Sequence, residues 1–209
     1  MIYAVSQAID KFYRKKDYET FKRLSSEPLE LFPEIKIYLK AHWLTFTEEP
    51  NKSYPSREWV VHFNDLPREE FEVSYTTILK VSKVAPFFYV EHRFSVKNQD
   101  PNGTVPYLTG FDGMGYVKRS FVLHEEITKV FKSKGYHELN YPEMIEVPDW
   151  FIMPEGVTHL GPNVTVEHLL FMDIFQLCSR ESSETVNEKN QEDQANQVNQ
   201  VNQAHNSSV

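Results

Sequence analysis

Cysteine is nearly missing from this chain of 209 residues: Cys178 stands alone. A single thiol excludes an internal disulfide framework and a zinc site built from several cysteines, and it fits a reducing compartment. No apolar run approaches the roughly 18 residues that a membrane span requires. The N-terminal stretch, with Asp10, Lys11, Arg14, Lys15, Lys16 and Asp17, has no apolar core of signal-peptide type. A cytoplasmic location with no membrane partner is therefore expected. An excess of positive charge is also absent, with 22 Lys and Arg against 30 Asp and Glu and a formal charge of −8. That balance argues against a protein that tracks nucleic-acid phosphates.

Aromatic residues stop early. The 15 Phe, 11 Tyr and 3 Trp all lie at or before Phe175. Of the 31 residues from Ser179 to Val209, 11 are Asn or Gln, and Ala195 to Ala204 repeats Asn-Gln between Ala or Val. Such a segment buries too little apolar area to offset its chain entropy, so residues 179–209 read as a disordered tail. Residues 1–178 then form one globular domain.

Within that domain, Ile2, Val5, Ile9, Phe12 and Tyr13 recur at helical spacing. After Pro28 and Pro33, the residues Ile35, Ile37, Leu39, Ala41 and Trp43 alternate as in a half-buried strand. Further strands are expected at Arg57 to Phe63, Val73 to Val84 and Phe87 to Val96, the last two rich in β-branched and aromatic residues. Asn98 to Tyr116, with four glycines, reads as a turn-heavy connection. A helix follows, with Ser120 as N-cap, a stripe of Leu123, Ile127, Val130 and Phe131, and Gly135 at its end. Glu125 and Lys129 are spaced as an ion pair on it. A final helix from Thr165 to about Leu177 is apolar nearly all round and belongs in the core. The class is α+β: an antiparallel sheet of four or more strands covered by helices.

Motifs for catalysis fail on inspection. His124-Glu125-Glu126-Ile127-Thr128 begins like a helical zinc-protease motif, but threonine stands where the second histidine belongs. Gly110 to Gly115 lacks the Lys and Ser/Thr that complete a phosphate loop. The carboxylate pairs Glu48-Glu49, Glu69-Glu70 and Glu125-Glu126 are adjacent, so each pair points to different sides. Cys178 has no base indicated for it. No cofactor or resident metal is expected, and the chain does not read as an enzyme. The alternative is a metal-dependent hydrolase, in which His62 and His92 converge from neighbouring strands.

One feature rises above this background. Residues 135–179 hold no Lys or Arg and seven acids: Glu138, Glu143, Glu146, Asp149, Glu155, Glu167 and Asp173. Tyr136, Tyr141, Trp150 and Phe151 are interleaved with them on a proline-stiffened path. Carboxylates steer a basic partner and aromatic anchors hold it. Glu143, Glu146, Asp149, Trp150 and Glu155 are the expected contact residues. Part of the segment could instead face the basic first helix of the same molecule.

The stretch from Gly156 to Phe175, Gly-Val-Thr-His-Leu-Gly-Pro-Asn-Val-Thr-Val-Glu-His-Leu-Leu-Phe-Met-Asp-Ile-Phe, is similar in style to the C-terminal part of some bacterial immunity proteins. With its acidic α+β character, the chain resembles the immunity families of polymorphic-toxin and contact-inhibition systems. The likeness covers about the last third of the domain and carries no individual functional residue across. It implies a cytoplasmic toxin inhibitor of immunity or antitoxin type that covers the active site of a basic toxin domain. An adaptor protein of a mobile element is a further alternative.

Overall fold

The first helical stripe folds as its spacing dictates. In the computed structural model, which describes residues 3–48, 54–63, 66–68, 71–98, 108–151 and 163–174, helix α1 (Tyr3–Ile9) runs into a π-helical turn (Asp10–Arg14). Val5, Ile9, Phe12 and Tyr13 are all buried. Asp17 accepts a hydrogen bond from the Thr20 N–H and so caps α2 (Tyr18–Ser26), a helix that the sequence reading does not separate. Residues 152–162 and 175–209, with Glu155, Cys178 and the expected tail, lie outside the described residues.

The residues Ile35 to Trp43 correct the first strand of the sequence reading. They belong to helix α3 (Pro33–Ala41) and the turn that ends it. Pro33 sits in the first turn, where its fixed φ suits a helix and its missing N–H is no loss. Only Ile35 and Leu39, one turn apart, enter the core, while Ile37 stays exposed. His42 is consequently a helix cap residue and not a strand residue.

Among the described residues, seven strands form one sheet: β1 (Thr45–Glu48), β2 (Ser56–His62), β3 (Leu66–Arg68), β4 (Phe71–Ser82), β5 (Phe87–Asn98), β6 (Leu108–Asp112) and β7 (His137–Leu139). β1, β2, β4, β5 and β6 lie side by side in that order, each antiparallel to its neighbour. β3 pairs with β4, and β7 runs parallel to β5 along the edge that β6 leaves free. The long β4–β5 hairpin is the one expected from its β-branched and aromatic runs. β6 lies inside the glycine-rich stretch read as a connection, and β7 inside the proline-rich one.

Helices cover both faces, as an α+β arrangement requires. On one face Trp59, Leu79, Val81, Phe88 and Val90 pack against Ile35 and Leu39 of α3 and against Leu123, Ile127 and Phe131 of α4 (Lys118–Ser133). Helix α4 starts three residues earlier than expected. Val117 is its cap position, and Ser120 lies in the first turn, where its Oγ accepts the Val117 N–H. Lys129 pairs with Glu126, on the neighbouring turn. Gly135, at φ +84°, ends the helix as expected; Gly135→Ala should cost about 1 kcal/mol, read from urea unfolding midpoints.

The opposite face takes α6 (Val166–Phe171), whose Val166, Leu169, Leu170 and Phe171 are buried. The last carbonyls of a helix have no partner within it. Here hydroxyls from three other elements supply one each. Tyr13 Oη donates to Leu169 O at 2.7 Å, Ser82 Oγ to Leu170 O at 2.8 Å and Ser56 Oγ to Phe171 O at 2.7 Å. A short helix α5 (Tyr141–Met144) follows β7, capped reciprocally by Asn140 and Glu143.

Candidate functional site

A chain of polar side chains crosses the α4 face of the sheet. Cross-strand register sets Thr77 beside His92, and His92 beside Asp112 on β6. His124 reaches down from α4. The contacts run Thr77 Oγ1 to His92 Nδ1 at 2.8 Å, then His92 Nε2 to His124 Nδ1 at 3.0 Å, then His124 Nε2 to Glu138 Oε1 on β7. Thr128 Oγ1 donates to the other carboxylate oxygen at 2.9 Å, and Lys132 Nζ stands 3.7 Å from it. His124 and Thr128 are the first and last residues of the incomplete metalloprotease motif. Their spacing puts both on one helix face, but what they share is a carboxylate.

Direction follows from the ionised end. A carboxylate only accepts, so His124 Nε2–H donates to Glu138. With both rings neutral, His124 Nδ1 then accepts from His92 Nε2–H, and His92 Nδ1 accepts from the Thr77 hydroxyl. Every group in the chain is satisfied in this arrangement. Burial, with His124 beside it, pushes the His92 pKa down to about 4, and Asp112 offsets this in part. Burial pushes the Glu138 carboxyl up, but the bonds from His124 and Thr128 and the Lys132 charge outweigh it and hold the carboxyl below its ordinary range.

A cleft of about 280 Å³ opens beside this chain, where β6 and β7 leave a gap along β5. His124, Lys132 and Glu138 line one side, with Tyr89, Gly113, Asn140 and Tyr141. The Tyr89 hydroxyl is buried without a hydrogen-bond partner among the described residues, and burial followed by the Glu91 charge raises its pKa. Among the described residues, the lining holds no serine, threonine or cysteine. His92, 1% exposed, is out of reach of a substrate. The chain ties β4, β5, α4 and β7 together and exposes little chemistry.

The expected pairing of His62 with His92 does not form. His62 lies in register with Thr76 and His92 with Thr77, so the two rings point to opposite faces of the sheet. His62 meets Thr47 at the surface instead. Among the described residues, no group of three or more His, Cys, Asp or Glu is placed to hold a metal ion.

The acidic segment divides into residues used within the fold and residues left outside. Glu138 is taken up by the buried chain, and Glu167 pairs with Lys80 at 2.7 Å. Glu143 caps α5, and the Glu146 carbonyl receives the Val166 N–H. Asp149 is exposed. Trp150 is half-buried: the Arg14 guanidinium lies 5.7 Å from its ring, and Phe151 beside it packs edge-on against Tyr13. This aromatic pair therefore faces the basic end of the first helix. Two of the aromatics displayed outward come from elements hidden in the sequence. Phe111 of β6, 52% exposed, meets Tyr141 of α5 with ring centres 5.4 Å apart, and Met114 (70%) and Ile145 (45%) are exposed too. No apolar–polar alternation marks β6, since Leu108 and Phe111 fall on opposite sides of the strand, and the surrounding glycines read as turn formers. No family model, curated protein or solved structure matches this chain.

Proposed function

We propose that this protein is an inhibitor of the immunity or antitoxin type, acting in the bacterial cytoplasm by binding a basic toxin domain through an acidic, aromatic surface. The observation that carries the reading is the outward Phe111–Tyr141 pair, with Asp112 next to Phe111 on β6 and Tyr141 within residues 135–179, which include Glu143, Glu146 and Asp149 and hold no Lys or Arg. Exposed aromatics with charged residues beside them fit a protein interface better than a catalytic cleft. Relative to the sequence reading, Phe111 and Tyr141 take over the anchor role from Trp150, which Arg14 occupies.

The test uses the toxin domain encoded in the neighbouring reading frame. Charge reversal at two positions, Glu146→Lys with Asp149→Lys, should slow association about tenfold at low salt and much less at high salt. Phe111→Ala with Tyr141→Ala should leave the association rate nearly unchanged and speed dissociation at least tenfold. Unchanged affinity in both double variants at both salt concentrations would remove this surface from the reading. A neighbouring product that is neither toxic nor bound would remove the immunity function itself.

A further inference from the structure

Two helices of this protein end in the same hydrogen-bond pattern, and only one of them ends on glycine. After α4 the Tyr136 N–H bonds to the Phe131 carbonyl at 3.0 Å, with Gly135 in the left-handed position at φ +84°. After α3 the Leu44 N–H bonds to the Leu39 carbonyl at 2.9 Å and the Trp43 N–H to that of Lys40 at 3.2 Å. There the left-handed residue is Trp43, at φ +55°. This closure favours glycine because any side chain in it crowds the backbone. Trp43 recovers nothing by burial, since it is 88% exposed. A strained backbone at a large exposed aromatic adds nothing to the fold, and strain of this kind collects at functional sites.

The surroundings of Trp43 are basic. Arg119 of α4 donates from Nη2 to the His42 carbonyl at 2.9 Å, which brings its guanidinium to the residue before Trp43. Lys40 lies one turn back on α3, and Lys118 precedes Arg119 on α4. Among the described residues, Lys40, Lys118 and Arg119 have no carboxylate partner. Of the acids on α3 and α4, Glu34 is committed to Lys134 and Glu126 to Lys129, and Glu125 lies exposed two turns along α4 from Lys118. Ile37, 68% exposed, adds apolar surface on α3.

We propose that Trp43, with Lys40, Lys118 and Arg119, is a docking site for an acidic segment of a partner protein that carries an apolar side chain. Tryptophan beside arginine is the composition of interface hot spots. The cations without carboxylate partners select an acidic occupant over a basic one. This site is separate from the acidic surface of β6 and α5 and does not depend on the function proposed for it.

The probe is a soluble synthetic peptide repeating Glu-Glu-Leu, titrated while tryptophan emission is recorded. Binding should shift the emission to the blue as Trp43 leaves water, since Trp59 is already buried and Trp150 is half-buried against Arg14, away from this site. Trp43→Gly should raise the unfolding midpoint, as glycine relaxes the turn, and weaken peptide binding about tenfold or more. Lys40→Glu with Lys118→Glu should weaken binding several-fold at low salt and less at high salt. The proposal is overturned if the peptide does not bind, or if W43G binds it as well as the wild-type protein. It is equally overturned if poly-uridine RNA competes with the peptide and binds more tightly, which would make the surface a nucleic-acid site. A lower unfolding midpoint in W43G would overturn the claim of strain on which the proposal stands.

Discussion

Phe131→Ala should destabilise the protein by about 4 kcal/mol, within the range of roughly 3–5 kcal/mol for a buried aromatic truncated to alanine. The Phe131 ring is 2% exposed and stands where three segments meet. Phe88 of β5 lies 4.9 Å from it between ring centres, Phe32 of the turn before α3 4.7 Å, and Tyr136 of the turn after α4 5.4 Å. None of the three can follow an alanine into the vacated space, because each is held by its own element. The cavity therefore stays open, and the ring contacts are lost with the buried area. Phe121→Ala on the same helix is the control. Its ring is 47% exposed, so a change below about 0.5 kcal/mol is expected. Urea unfolding with an unchanged slope measures both. A Phe131→Ala cost below about 2 kcal/mol would mean that the cluster is not packed as described.

Acid should remove about 3 kcal/mol of stability between pH 6.5 and pH 4, through His92. Unfolded, this histidine takes up a proton near pH 6.5; folded, it does so only near pH 4. Between those values the unfolded chain binds more protons, so stability falls as the pH falls. The contribution is fully present above the unfolded value and gone below the folded one. The physical reason is burial first and the neighbour second: a protonated His92 would bring positive charge into a site shut off from water, 3.0 Å from the His124 ring. Glu138 acts in the same sense at lower pH, since its depressed folded pKa adds stability above 4.5 that is lost as the pH falls through the folded value. His168, lowered by burial, also weakens the fold in acid. His92→Gln keeps a polar side chain without the titration, so its stability should fall clearly less over the same window. Equal losses in the two proteins would show that His92 is not the acid-sensitive group.

How much of this could be read from the chain depends on the range of the interaction involved. The β4–β5 hairpin was legible because alternating β-branched and aromatic residues specify strand and face locally. Helix α4 was legible through its stripe of Leu123, Ile127, Val130 and Phe131 and through Gly135. Helix α3 was not. Ile35, Ile37, Leu39, Ala41 and Trp43 alternate, and a period of two outweighed the proline that starts the helix. The alternation had no structural meaning, since Ile37 and Trp43 point to solvent. Of the expected contact residues, Trp150 carries a partner within the molecule because Arg14 is brought to it across the fold. The outward role of Phe111 depends on β6 pairing with β5 beyond a glycine-rich stretch.

The sequence by itself settled the α+β class, the long hairpin, the stripe of α4 and the separation of charge, because each follows from composition or from spacing within a few residues. Only the tertiary structure decided which groups meet. Thr77, His92, His124 and Glu138 come from four elements and join only after strand register and helix docking are set. The same docking turns Trp150 inward and leaves Trp43 outward, although both tryptophans lie near prolines and charged residues in the chain. Burial is a property of the assembled fold, and no local pattern distinguishes an aromatic that finds a partner from one that is left to meet another protein.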